Sequence, residues 1–134
     1  MGFTISTTLS SSYDDTVAAV RAALAEQGFG VLTEIDMKAT LKAKLDVDIP
    51  PQVILGACRP PLAHAAIQAD PSIAALLPCN VVVRAEGDST VVEAVDPDAM
   101  MSLADHPALR AVAADAKQRL SAALASLTTT PQEA

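Results

Sequence analysis

The segment Cys79-Asn80-Val81-Val82-Val83-Arg84-Ala85-Glu86-Gly87-Asp88-Ser89-Thr90-Val91-Val92-Glu93-Ala94-Val95 reads as a β-hairpin. Its two valine-rich runs, Cys79 to Ala85 and Thr90 to Val95, suit a pleated, half-buried surface. The intervening Glu86-Gly87-Asp88-Ser89 supplies the turn, so the runs pair antiparallel. Upstream, Gln52 to Cys58 places Val53, Ile54 and Leu55 on both faces of a strand, which predicts a central position in the same sheet. Still earlier, Phe29, Val31, Thr33, Ile35 and Met37 alternate with Leu32, Glu34, Asp36 and Lys38. That period of two predicts a strand with the first set buried and the acids facing water.

Helices fill the gaps. Ser12 followed by Asp15 forms a capping box, Tyr13, Val17, Val20 and Leu24 recur at helical spacing, and Gly28 ends the run. A Thr-rich strand, Phe3 to Leu9, precedes it. Residues 39–45 form a short amphipathic segment, stopped by Pro50-Pro51. Pro60-Pro61 open a helix that runs to about Ala69, where Asp70-Pro71 stop it. Asp96-Pro97 start a helical turn through Met100 and Met101. Asp105-His106-Pro107 begin a last helix whose Leu109, Val112, Ala113, Ala116, Leu120, Leu124 and Leu127 make one apolar stripe. Residues 128–134 are expected to fray. The order strand, helix, several mostly antiparallel strands, long helix predicts a two-layer α+β domain with helices on one sheet face. The second face, if as apolar as its strands, needs a partner copy or a ligand to cover it.

Composition narrows the function classes. A formal charge of −7 with nine Lys and Arg disfavours a phosphate-backbone partner, and three aromatic residues offer little for stacking bases. The expectation is no nucleic acid. The longest apolar runs, Ala74 to Leu77 and Val81 to Val83, are far shorter than a membrane span, and the N-terminus has no basic region before an apolar stretch. No membrane and a cytoplasmic location are therefore expected. Cys58 and Cys79 are separated by 20 residues, which matches neither a redox CxxC nor a paired zinc-ligand spacing.

The predicted pairing nevertheless brings the end of the Cys58 strand, the start of the Cys79 strand and Asp96 to one end of the sheet, with Met100 and Met101 just beyond. Three readings of that corner stand open. Both cysteines can be small buried hydrophobes. Cys58, ahead of a helix N-terminus and beside Arg59, can be a reactive or redox-active thiol. The two thiolates with Met100, Met101 or His64 can form a soft-metal site suited to copper(I) or zinc. Glu34 and Asp36 share a strand face where they can bind a cation or act as acid and base, although outward acids near Lys38 equally make a solvated face. Lys38, Lys42 and Lys44 are three of four lysines and form a basic patch where a small anion can dock. His106 reads as an ordinary first-turn residue. The chain has no Gly-rich phosphate loop, metalloprotease helix or nucleophile elbow.

The stretch from Gly28-Phe29-Gly30 through Thr40-Leu41-Lys42 resembles the most recognisable segment of the domain of unknown function 302 family. So do Ile54-Leu55-Gly56-Ala57-Cys58-Arg59-Pro60-Pro61-Leu62-Ala63, Gln68-Ala69-Asp70-Pro71, Leu76-Leu77-Pro78-Cys79-Asn80-Val81-Val82-Val83 and Val95-Asp96-Pro97-Asp98-Ala99-Met100. Arg59 departs from the family pattern, which more often has asparagine there. The resemblance covers residues 3–125 and implies a β-α-β(4)-α, TBP-like fold, assembled as a homodimer in bacterial cytoplasmic proteins; it implies no particular activity. Residues 1–127 are thus expected to form one such domain. The leading expectation is a homodimeric binding module whose Cys58 and Cys79 bind a ligand or soft metal, or sense redox state. One alternative is a small-molecule enzyme using a Cys58 thiolate with Asp36, His64 or Asp96 as proton carrier. The other is a structural or effector-binding domain with no site chemistry.

Overall fold

The computed structural model describes residues 2–104 and 106–129. Its elements run β1 (Thr4–Leu9), α1 (Tyr13–Glu26), β2 (Gly30–Asp36), α2 (Met37–Leu45), β3 (Gln52–Cys58), α3 (Pro60–Ala69), a 3-10 turn (Pro71–Leu76), β4 (Cys79–Glu86), β5 (Ser89–Val95), α4 (Pro97–Met101) and α5 (Pro107–Thr129). The five strands form one sheet in the order β1-β5-β4-β3-β2, with every neighbouring pair antiparallel. With the short helices set aside, the order is the expected β-α-β(4)-α, and the fold is α+β.

Local chemistry sets the helix ends. The Ser12 side chain accepts the Asp15 N–H at the start of α1. At its other end Phe29 N–H donates to Leu24 C=O and Gly28 N–H to Ala25 C=O, the paired bonds of a Schellman motif. Gly28 sits at φ +84°, where only a glycine is unstrained. This motif turns the chain so that Phe29 enters the core, 4% exposed.

One sheet face carries the core. Val20 and Leu24 of α1 and Leu120, Ala123, Leu124 and Leu127 of α5 pack on Val53, Leu55, Val81, Val83, Val92 and Ala94. Register explains the set, since residues opposed across antiparallel strands point to the same face: Val83 lies opposite Val92 and Val53, and Val81 opposite Ala94 and Leu55. A second cluster forms beyond the strand ends, from Ala66 of α3, Ile73, Met101, Leu109 and Ala113. The apolar stripe of α5 serves both clusters. Asp105 and residues 130–134, parts of the expected helix start and frayed tail, lie outside the described residues, whereas residues 128 and 129 continue α5.

Strand β2 departs from its alternating pattern. Its register against β3 shifts between Val31 and Thr33, so Val31 opposes Ala57, Thr33 opposes Gly56, Glu34 opposes Leu55 and Asp36 opposes Val53. The bulge reverses the faces after Leu32. Phe29 and Val31 pack toward the core as expected, but Thr33 and Ile35 turn to the helix-free face, and Glu34 and Asp36 turn to the α1 side. The strand also ends two residues early: Asp36 accepts the Ala39 N–H and caps α2, making Met37 and Lys38 helical. The 3-10 turn after Pro71 is a further difference, capped by the Asp70 side chain on Ser72 N–H.

The helix-free face is less apolar than the strands suggest. Thr4, Ser6 and Thr8 of β1 lie on it, and Glu93 at its centre takes both the Thr4 hydroxyl and the Arg84 guanidinium. The arginine holds the Glu93 carboxyl below the usual range. Apolar surface concentrates toward the β2 edge, where Leu32, Ile35, Leu45 and Val47 are exposed.

Gly56 fixes the bulged register. A Cβ there would collide with Thr33 Oγ1 and lie 2.8 Å from Pro78 Cγ. Gly56→Ala is expected to cost about 1–3 kcal/mol by overpacking, with Thr33→Ala in the same chain restoring part of it. Urea midpoints of the single and double variants check this.

Candidate functional site

The corner predicted from the pairing exists at the C-terminal end of β3 and the N-terminal end of β4. Ala57 lies opposite Cys79, so Cys58 is the next residue out, and extending the β4–β5 register sets Asp96 across from Cys79. Here the sheet ends at the seam between the two core clusters, leaving a cavity of about 30 Å³. Phe29, Ala57 and Cys79 wall it on the sheet side, Leu62, Ala63 and Ala66 on α3, and Met101 and Ala116 on the far side. Cys58 and Arg59 complete its lining.

The two thiols differ in setting. Cys79 is a core residue, 7% exposed, and burial with Cys58 nearby pushes its pKa up to about 11. It is therefore protonated at neutral pH. Cys58 is partly exposed. Both are free thiols. Pleating turns successive residues to opposite faces, so Cys58 leaves the strand on the side opposite to Ala57 and Cys79, and a direct disulfide would require the backbone to move.

The α3 N-terminus behind Cys58 offers few donors. Pro60 and Pro61 have no N–H, and the Leu62 and Ala63 N–H groups both donate to Arg59 C=O. Arg59 is the one charged residue of the cavity lining. Its Nε is buried, makes no hydrogen bond, and is the one such side-chain nitrogen or oxygen among the described residues. Composition alone could not show this, because a lysine or arginine beside a proline pair reads as a solvated charge.

The other expected site residues lie elsewhere. Asp96 borders the seam but not the cavity: one carboxylate oxygen accepts Asp98 N–H at 2.9 Å to cap α4 and the other accepts Lys117 Nζ at 3.2 Å. His64 is on the exposed face of α3. Met100 is partly buried and packs against both clusters, while its neighbour Met101 takes the place on the cavity wall. Asp36 and Glu34 border a separate cleft with Tyr13, Asp14 and Arg21. Glu34 pairs there with Arg21, and burial, then Asp36 and Asp14, raise the Tyr13 pKa. The lysine patch is partly neutralised within itself: Lys38 donates to Ile49 C=O, and Lys42 pairs with Asp46 at 2.8 Å and Asp48 at 3.6 Å. Among the described residues no three His, Cys, Asp or Glu side chains gather as a metal site. No described helix is long and apolar enough to cross a membrane.

The Cys79 pKa gives a signed expectation. Where the unfolded chain ionises this thiol and the folded chain keeps its proton, rising pH favours unfolding. Between about pH 9 and 11 the protein should lose roughly 2–3 kcal/mol of stability through Cys79. Denaturation of the wild type and of Cys79→Val across that range checks it: the valine variant should show a shallower decline.

Comparison with known proteins agrees with the fold. The crystal structure of an uncharacterized conserved DUF302 protein from Bacillus stearothermophilus is 29% identical, superposes with a TM-score of 0.87, and the match covers 93% of this chain and 98% of that one. Among curated proteins none matches. The family described as the domain of unknown function DUF302 matches residues 5–127, from β1 to the last turns of α5. The chain belongs to the DUF302 family.

Proposed function

We propose that the protein is a small homodimeric binding module whose ligand site is the cavity at the Cys58–Cys79 corner. One observation carries the reading: the seam between the two core clusters is left open where Cys58, Arg59, Cys79 and Met101 line one cavity. Its apolar lining with few polar groups is the character of small-molecule sites, but its volume of about 30 Å³ is far below their usual ~300–1,000 Å³, so a ligand must widen the seam to enter. A ligand suits the corner better than a soft metal. Cys58 and Cys79 leave their strands on opposite sides, and among the described residues no three His, Cys, Asp or Glu side chains gather as a metal site. Enzymatic use is also less favoured, since Asp36, His64 and Asp96, the available proton carriers, do not border the cavity. In this reading Cys58 is the thiol that meets the ligand and Cys79 closes the floor. The second copy covers the β2 edge, where Leu32 and Leu45 are each 66% exposed and α2 buries no residue of its own.

Native mass spectrometry of protein purified without reductant or chelator tests both parts. The expected spectrum is a dimer whose subunits carry a small-molecule mass, lost on Cys58→Ala or when Ala63→Leu fills the cavity. A monomer without bound mass, in which both thiols resist alkylation, overturns the reading.

A further inference from the structure

Resting on the cavity reading for what it admits, we infer that α3 and the 3-10 turn, residues 60–76, form a lid that swings away from α5 and opens the corner to a ligand. Strands β3 and β4 are antiparallel neighbours, paired as far as Ala57 and Cys79. About two to five residues suffice to join such a pair. The chain instead makes an excursion from Arg59 to Pro78 across the end of the sheet, and this excursion supplies Leu62, Ala63, Ala66 and Leu77 to the cavity wall. Its two ends lie side by side at the last rung of the ladder, so the segment can swing while the β3–β4 pairing stays intact.

Little holds the lid shut. Between Pro60 and Leu76 only Ala66 and Ile73 are buried, both in the small cluster with Met101, Leu109 and Ala113. Among the described residues, the hydrogen bonds of this segment run within it or to the adjoining Arg59 and Leu77. Pro60, Pro61 and Pro78 bring no N–H to the hinges, and Arg59 and Leu77 beside them are extended. A segment secured by few buried side chains opens locally at lower cost than the whole fold. Closed, the cavity holds about 30 Å³. Lifting α3 removes one of its walls and joins it to solvent.

Cys79 reports the opening, because it is 7% exposed on the sheet side of the cavity and a reagent reaches it only when its cover moves. The experiment measures iodoacetamide labelling of Cys79 by peptide mass spectrometry at urea concentrations below the unfolding transition. Lid opening exposes little surface, so the wild-type rate should be nearly independent of urea until global unfolding takes over. Ile73→Ala should raise that plateau about thirtyfold or more, the scale of a buried Ile→Ala change. Val83→Ala, in the sheet core and outside the cavity lining, should lower the urea midpoint and leave the plateau where it was. On the wild type alone, hydrogen exchange should show the amides of α3 opening with less urea dependence than those of Val81 and Val83. A Cys79 rate that follows urea with the slope of global unfolding, or a plateau raised equally by Val83→Ala, overturns the lid and leaves the cavity reading standing. A urea-independent plateau in a protein that carries no bound mass supports the lid and overturns the cavity reading.

Discussion

The packing of α5 on the β4–β5 hairpin is the contact on which the rest of the molecule depends. Leu120, Ala123, Leu124 and Leu127 cover Val81, Val83, Val92 and Ala94, while Leu109 and Ala113, nearer the start of the same helix, belong to the second cluster beyond the sheet. One rigid helix of 23 residues, about 35 Å long, thereby joins two groups of side chains that no strand connects. The core has no tryptophan and Phe29 as its one fully buried aromatic, so mostly aliphatic side chains interdigitate within each cluster and leave the seam under-filled.

That seam coincides with the strand ends, where the backbone changes from sheet to helix on both sides of the cavity. Arg59 and Cys58 stand there because β3 must end before Pro60, whose ring cannot donate to a ladder. Cys79 stands there because β4 begins soon after the 3-10 turn from Pro71 to Leu76. The site thus arises from termination signals meeting at one edge.

Electrostatics elsewhere on the molecule is largely local. Glu93 and Arg84, Arg21 and Glu34, and Lys117 with Asp96 and Asp98 each satisfy one another near the surface. Such pairs contribute about 0–1 kcal/mol each and mainly fix geometry. Lys117 in particular ties α5 to the capped start of α4, which holds Met101 against the cavity. The net acidity of the chain makes the unpaired nitrogen of Arg59 more conspicuous, since carboxylates are abundant yet none among the described residues accepts from it.

The sequence by itself determined the elements whose signals are local: the capped α1 with its glycine stop, the valine hairpin, the amphipathic α5, and, from strand directions alone, the meeting of Cys58, Cys79 and Asp96 at one sheet end. Tertiary structure decided what depends on distant neighbours. The β2 bulge cannot be read from residues 29–38, because it is set by Thr33 and Pro78 closing over Gly56, more than twenty residues from either. That single shift sent Glu34 and Asp36 to the α1 side and Ile35 to the open face. Likewise the sequence placed two thiols together but could not rank them. Their difference lies in depth: Cys79 is buried in the core and holds its proton, whereas Cys58, one residue beyond the β3–β4 pairing, keeps contact with solvent.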